Sequence, residues 1–306
     1  MSTEVSAPGP QAAAPAPPPV PAAAPPPARV VALPAPAAAP AAAAPSRAAL
    51  AAADLLDGLR CWELWGAMGL QGLRRGYRRS ILGPLWLTIS LAVLVTALGL
   101  LYGRLFNMPL ERYLPHVALG FIAWQFVQAA VNRSCTVFVR HKVWITNAKR
   151  PLAMFVFKDV WENLLTMAHN GLVYVGVAVI FGVAAGLHAL LLVPGLALVV
   201  VNAVWVGLLL GTVCARFRDV AQIVGSVMRV VFFVTPVIWI PDQLGPRAHL
   251  ALYNPFTYFI ELVRAPLLGH GLPAVTWMLV LAVTAAGWTL TWLVFARYRS
   301  RVPYWV

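Results

Sequence analysis

The densest chemistry in this chain is a set of four arginines within six positions, Arg74, Arg75, Arg78 and Arg79. A guanidinium is a planar, permanently charged fork of donors that pairs with phosphate oxygens two at a time. Such a cluster either holds a phosphate-bearing ligand or anchors the chain to anionic headgroups, and its residue types fit both. Acids are informative by their scarcity, since Asp and Glu supply only 10 of 306 residues. Acid–base or metal-assisted catalysis needs carboxylates or ligands converging on one site, and ion-coupled transport needs a titratable group inside the membrane. The long apolar runs hold essentially none except His169, and His169-Asn170 reads as an interhelical hydrogen-bonding pair rather than a proton relay. Glu111, Asp242 and Glu261 are scattered, and Cys61, Cys135 and Cys214 are odd in number with no metal-ligand spacing. No G-x-x-x-x-G-K-[ST] phosphate loop is present. We therefore expect no catalytic residue, no metal, no cofactor and no nucleotide engine within the chain.

The elements that must carry these side chains are membrane spans. The chain is 60% hydrophobic and 11% charged, against roughly 25% charged in soluble domains. A helix crosses about 30 Å of hydrocarbon with about 20 apolar residues. Six such stretches fit, over 83–106, 115–139, 163–183, 187–215, 223–240 and 273–296. A formal net charge of +13 would suit nucleic acid, but its distribution excludes that class: 17 Lys and Arg fall on one side of these spans and 4 (Arg104, Arg112, Arg247 and Arg264) on the other. This positive-inside bias puts both termini in the cytoplasm and assigns the basic charge to orientation and membrane-lipid contact.

Residues 1–48 are almost entirely Ala and Pro, which predicts a disordered cytoplasmic tail of polyproline II character. Over 54–80, Asp54 and Asp57 open a helical pattern continued by Leu55, Leu59, Trp62, Leu73 and Tyr77, an amphipathic helix in the headgroup layer. Residues 81–306 then form one six-span domain. Segment 140–162 interleaves Lys142, Lys149, Arg150, Lys158, Asp159 and Glu162 with Trp144, Phe155 and Trp161, too polar to span and too apolar for a solvated loop. It reads as a pair of surface helices which, with Arg216-Phe217-Arg218-Asp219, presents a docking face to another protein. Residues 241–271 are apolar but interrupted by Glu261, Arg264 and Pro266, as an interfacial or re-entrant segment on the outer face would be. Gly99/Gly103, Gly182/Gly186 and Gly207/Gly211 have the spacing for close helix packing. Aromatics recur through the spans, among them Trp86, Tyr102, Phe121, Trp124, Phe232, Phe233 and Trp239. They are interface belts and packing, or a pore wall of flat rings on which sugar faces slide.

Tyr77-Arg78-Arg79-Ser80-Ile81-Leu82-Gly83-Pro84-Leu85-Trp86 resembles the motif that opens the first span of ABC-2 type transporter permeases exporting lipid-linked polysaccharides, the O-antigen, capsule, galactan and teichoic-acid exporters. Ala168-His169-Asn170, Arg216-Phe217-Arg218-Asp219, Thr235-Pro236-Val237-Ile238-Trp239, Asn254-Pro255-Phe256-Thr257 and the ending Arg297-Tyr298-Arg299-Ser300-Arg301-Val302-Pro303-Tyr304-Trp305 follow in the same order, so the resemblance runs from about residue 64 to the C-terminus. The Ala/Pro tail and the polar loop around Thr146-Asn147-Ala148-Lys149 depart from it. The resemblance implies an all-α integral membrane protein of the bacterial inner membrane, a homodimer of six-span permeases enclosing one channel. Two copies of a separate cytoplasmic ABC ATPase would hydrolyse the ATP, and the cargo would be a glycan on undecaprenyl pyrophosphate. On that basis Arg74, Arg75, Arg78 and Arg79 would draw in the lipid pyrophosphate, and the seven aromatics above would line the channel. Lys149, Arg150, Pro151, Arg216, Arg218 and Asp219 would couple to the ATPase, and Asn254, Pro255, Glu261 and Arg264 would form the outer gate. Two other functions compete: an ABC-2 permease for a drug or hydrophobic small molecule, and a membrane enzyme of polyprenyl-lipid metabolism. The missing acid and metal constellation disfavours the enzyme.

Overall fold

A computed structural model describes residues 46–76, 83, 85–148, 150–184, 186–241, 243, 245 and 251–306. Most of the expected tail, Arg78, Arg79, Lys149 and Asp242 lie outside the described residues. Every regular element among the described residues is helical. Two N-terminal helices, α1 (Arg47–Arg60) and α2 (Trp62–Gly76), meet at Cys61 and occupy the stretch that the sequence suggested as one amphipathic helix. Ser46 caps α1 by accepting from the Ala49 amide at 3.1 Å. The bundle follows as α3 (Leu85–Leu105), α4 (Leu110–Ser134), the short α5 (Val137–Arg140) and α6 (Lys142–Ala148), then α7 (Leu152–Phe181). The chain continues through α8 (Leu192–Arg216), α9 (Asp219–Val234), α10 (Pro255–Leu267), α11 (Ala274–Tyr298) and a last turn, α12 (Val302–Trp305).

Among the described residues, five helical stretches are long and apolar enough to cross a membrane: Leu85–Leu105, Leu110–Ser134, Leu152–Phe181, Gly186–Arg216 and Ala274–Trp305. The expected span over 223–240 coincides with α9, whose 16 residues rise about 24 Å, less than the roughly 30 Å of hydrocarbon. Its end has a local cause. Proline at 236 disfavours helical backbone at the residue before it, and Thr235 is extended with ψ 135°. The chain is all-α and crosses the membrane several times, with α4 as its axle. In α4 67% of the apolar window is buried inside the chain, against 17–28% in the other four stretches, which turn most of their surface outward.

Small residues set the closest contacts. A Cβ on Gly99 would lie 2.8 Å from Leu114 and one on Gly103 3.1 Å from Leu110, so α3 lies tight on α4. Gly207 abuts Val156, and Gly211 abuts Val137 and Phe138, which seats α8 on α7 and α5. The third pair does something else: Gly182 ends α7 in left-handed backbone at φ +63°, and Gly186, at φ +58°, opens the next turn, with nothing against either among the described residues.

Segment 140–162 corrects the expectation of a surface helix pair. Only α5 and α6 are short, and α7 begins at Leu152 and continues through the charged residues into the bundle. Lys158 and Asp159 are buried on it. A helix can carry charges inward when they neutralise one another, which hydropathy does not register.

Candidate functional site

At the end of the bundle where α1, α6 and the C-terminus meet, one carboxylate joins three elements. Asp54 of α1 accepts from the backbone amides of Leu152 at 3.2 Å and Ala153 at 2.9 Å, and from Arg299 Nε at 2.6 Å. Pro151, at the N-cap of α7, has no side-chain cap of its own. Asp54 supplies that cap from 98 positions away, where the helix dipole also favours a negative charge. Beside it lies a cavity of about 440 Å3 lined by Ile145, Thr146, Arg150, Arg299, Pro303 and Tyr304. The Arg216 guanidinium sits 5.7 Å from the Phe217 ring and 5.8 Å from the Trp305 ring. Val143, Trp144, Phe217 and Tyr304 are exposed apolar side chains on α6, the α8 end and α12. Of the residues expected to couple to an ATPase, Arg150 lines the cavity and Arg216 holds the C-terminal turn. Arg218 and Asp219 are exposed at the start of α9.

One turn into the bundle, five charged residues form a network. Arg133 on α4 pairs with Glu162 at 2.5 Å, and Arg140 on α5 pairs with Asp159 at 2.5 Å. Lys158 reaches both Asp159 at 3.2 Å and Glu162 at 2.6 Å. Three cations face two carboxylates. Glycine at 72 lets α2 rest on this network, because a Cβ there would collide with the Glu162 carboxylate. Trp65 of α2 packs 6.2 Å from Phe157 and 6.3 Å from Trp161 of α7. Arg74 and Arg75 are thereby held, exposed, in the last turn of α2, where the helix dipole favours cations. Close by, His141 stacks on Phe155 at 4.8 Å, with Nδ1 2.7 Å from the Val137 carbonyl oxygen. Burial holds its pKa below the ordinary histidine value, outweighing the Val137 carbonyl and Asp159, which favour the charged form.

At the opposite end, α10 packs against α4 and α8. Asn254 caps α10 by accepting from the Phe256 amide at 3.0 Å, while its Nδ2 donates to Thr235 Oγ1 at 2.8 Å. Pro255 fills the first helical position, where no amide is needed. Arg264 is 1% exposed. It pairs with Glu261 and donates from Nη1 to the Pro236 carbonyl at 2.7 Å and to His116 Nε2 at 3.0 Å. Tyr113 Oη donates to the Ile238 carbonyl at 2.8 Å. A Cβ on Gly120 would lie 2.8 Å from the Val237 carbonyl oxygen. The irregular segment from Thr235 to Ile238 is thus clamped between α4 and α10, beside a vestibule of about 550 Å3 lined by Glu111, Arg112, His116, Glu261, Arg264 and His270. Of the four expected gate residues, Asn254 and Arg264 bond to this segment, and Glu261 reaches it only through Arg264. The sequence pointed to neither Tyr113 nor His116, because each meets its partner only through tertiary contact.

The seven aromatics do not share one wall within the chain. Phe121 and Trp124 are buried and pack on Phe232 at 5.8 and 5.6 Å, with Phe256 6.1 Å from Trp124. Tyr102 packs tilted against Phe106 at 5.5 Å, and Trp239 Nε1 donates to the Phe233 carbonyl at 3.1 Å. Trp86 and Phe233 are more than half exposed. The His169-Asn170 pair divides similarly: Asn170 Nδ2 donates across to Gln125 Oε1 at 2.7 Å, whereas His169 Nδ1 stays 2.8 Å from Leu165 O of its own helix.

Comparison with known proteins agrees with this architecture. The ABC-2 type transporter family model matches residues 63–268. The O-antigen export system permease protein RfbA of Myxococcus xanthus is 23% identical over 241 residues, covering 75% of this chain and 88% of that protein. Its namesake from Klebsiella pneumoniae is 20% identical over 190 residues, 61% of this chain and 73% of that protein.

Proposed function

Since the chain belongs to the ABC-2 type transporter family, we propose that it is the passive permease half of an ATP-driven exporter moving an undecaprenyl-pyrophosphate-linked polysaccharide outward across the bacterial inner membrane. Two copies of the chain enclose the path, and two copies of a cytoplasmic ABC ATPase, the partner the family implies, drive it. Both termini lie on the ATPase side. The observation that carries this assignment is the Asp54 junction. It binds the N-terminal helices, the C-terminal turn and the start of α7 into one unit bearing exposed Trp144, Phe217 and Tyr304. A partner that closes on ATP needs a rigid, apolar-and-charged surface to push, and this unit delivers the push directly to the longest helix. Arg74 and Arg75, with Arg78 and Arg79 after them, attract the pyrophosphate at the membrane surface. The buried aromatics hold α4, α9 and α10 together, while Trp86 and Phe233 face the path. Arg150, Arg216, Arg218 and Asp219, with Lys149 and Pro151, transmit the push, and Asn254, Pro255, Glu261 and Arg264 hold the outer gate. The names of the RfbA relatives support the choice of cargo.

The test is made in cells. Replacing Arg78 and Arg79 together by Gln is expected to abolish surface polysaccharide and accumulate its lipid-linked precursor inside, with the permease inserted at its normal level. Unchanged surface glycan would remove the arginine assignment. Unchanged glycan on deletion of the whole gene, with altered efflux of small hydrophobic compounds, would replace the cargo.

A further inference from the structure

Between α4 and α7 lies a cavity of about 290 Å3 whose polar lining is Gln125, Gln128 and Asn132 from one helix and Asn163, Thr166 and Asn170 from the other. Steps of three and four residues keep each trio on one face of its helix. We propose that this recess binds the sugar hydroxyls of the passing glycan, a site that rests on the exporter assignment above.

Much of the lining's hydrogen-bonding capacity is unused among the described residues. Asn163 Nδ2 donates to the Phe126 carbonyl at 2.8 Å, and Asn170 Nδ2 to Gln125 Oε1 at 2.7 Å. Thr166 donates to the Glu162 carbonyl of its own helix at 3.0 Å. The side-chain oxygens of Asn132 and Asn170 are buried and accept nothing, although Asn170 is only 2% exposed. A buried amide oxygen without a donor is unfavourable, the more so inside a membrane-crossing pair of helices. A ligand that donates removes that cost.

The chemistry of the lining selects the ligand class. Neutral amides both donate and accept, as sugar hydroxyls do. A phosphate would call for cations, a metal ion for carboxylates, and a hydrophobic compound would leave the amides unpaired. Position agrees: Asn132 and Asn163 adjoin Arg133 and Glu162 of the buried ion network, and the amides continue from there along both helices. The size is at the lower limit of small-ligand sites, about 300 Å3. A recess that holds one or two sugar units weakly suits conduction of a long chain.

The test places p-benzoylphenylalanine at Gln128 in the full chain, in cells that make its ATPase and glycan, and irradiates them. The expected result is a shift of the permease band to a heterogeneous, glycan-reactive mass, lost in a host blocked at the first sugar transfer. An adduct at twice the permease mass that persists in the blocked host would make the recess a contact between copies and overturn the proposal. Adducts with phospholipid alone, or none, would overturn it too. If the substituted chain does not insert, the double variant Gln128→Ala and Asn132→Ala replaces it. It is expected to cut exported glycan per permease about fivefold or more, as two lost hydrogen bonds would, and unchanged export refutes the site. Deletion of the gene is run in parallel: if surface glycan survives deletion, the exporter assignment fails and takes the site with it. If glycan disappears on deletion yet Gln128 yields no glycan adduct, the site alone fails.

Discussion

At the residue scale, the most consequential side chain is an acid that sequence analysis assigned only to a helix start. Asp54 is buried, and each oxygen has a partner from a distant part of the chain. Removing one member of a buried charged pair leaves the other uncompensated, at a cost of about 3–5 kcal/mol. Arg299 retains some solvent contact, so the lower part of that range is expected for Asp54→Ala. Thermal melting of the purified permease in detergent measures it. Asp54→Asn keeps the shape and one acceptor for the α7 amides, and is expected to lose clearly less than Asp54→Ala. Equal losses would mean that packing, not the carboxylate, holds the junction.

At the element scale, the decisive contacts are made by backbone. The segment from Thr235 to Ile238 is held by Arg264, Tyr113 and Asn254, and α4 approaches it at Gly120 with no side chain between. Gly120→Ala adds a methyl group against the Val237 carbonyl oxygen, and overpacking of this kind costs about 1–3 kcal/mol. The expected outcome is a lower melting temperature, with water-soluble thiol reagents reaching a cysteine at His116 faster than in the parent. Unchanged melting and unchanged labelling would show that the segment yields freely and is not a clamp. The early end of α9 belongs to this scale as well, because Pro236 that stops the helix also provides the carbonyl that Arg264 binds.

At the scale of the whole molecule, the chain has a platform at one end, a clamped segment at the other and α4 between them. Among the described residues no group of three or more His, Cys, Asp or Glu is placed to hold a metal ion, and the sequence has no phosphate loop. The permease purified alone and reconstituted into vesicles is expected to hydrolyse no ATP and to move no lipid-linked glycan under a proton or sodium gradient. Transport under an ion gradient alone would remove the division of labour between permease and ATPase.

The sequence by itself determined the class of molecule: apolar runs of membrane length, charge distributed by side, and motif order that identifies the family are all local or additive properties, readable without contacts. It also marked Glu261 and Arg264, whose types are out of place in an apolar stretch, and Asn254 through the motif it opens. What only the tertiary structure decided is what neutralises what. Segment 140–162 reads as too polar to enter the bundle when Lys158, Asp159 and Glu162 are weighed singly, whereas Arg133 and Arg140 from other helices pair with the two carboxylates and Lys158 bridges them. The same holds for Asp54, the α4–α7 amides and the division of aromatics between core and surface. The free energy of a buried polar or aromatic group depends on the partner that meets it in space, and that partner is many residues away along the chain.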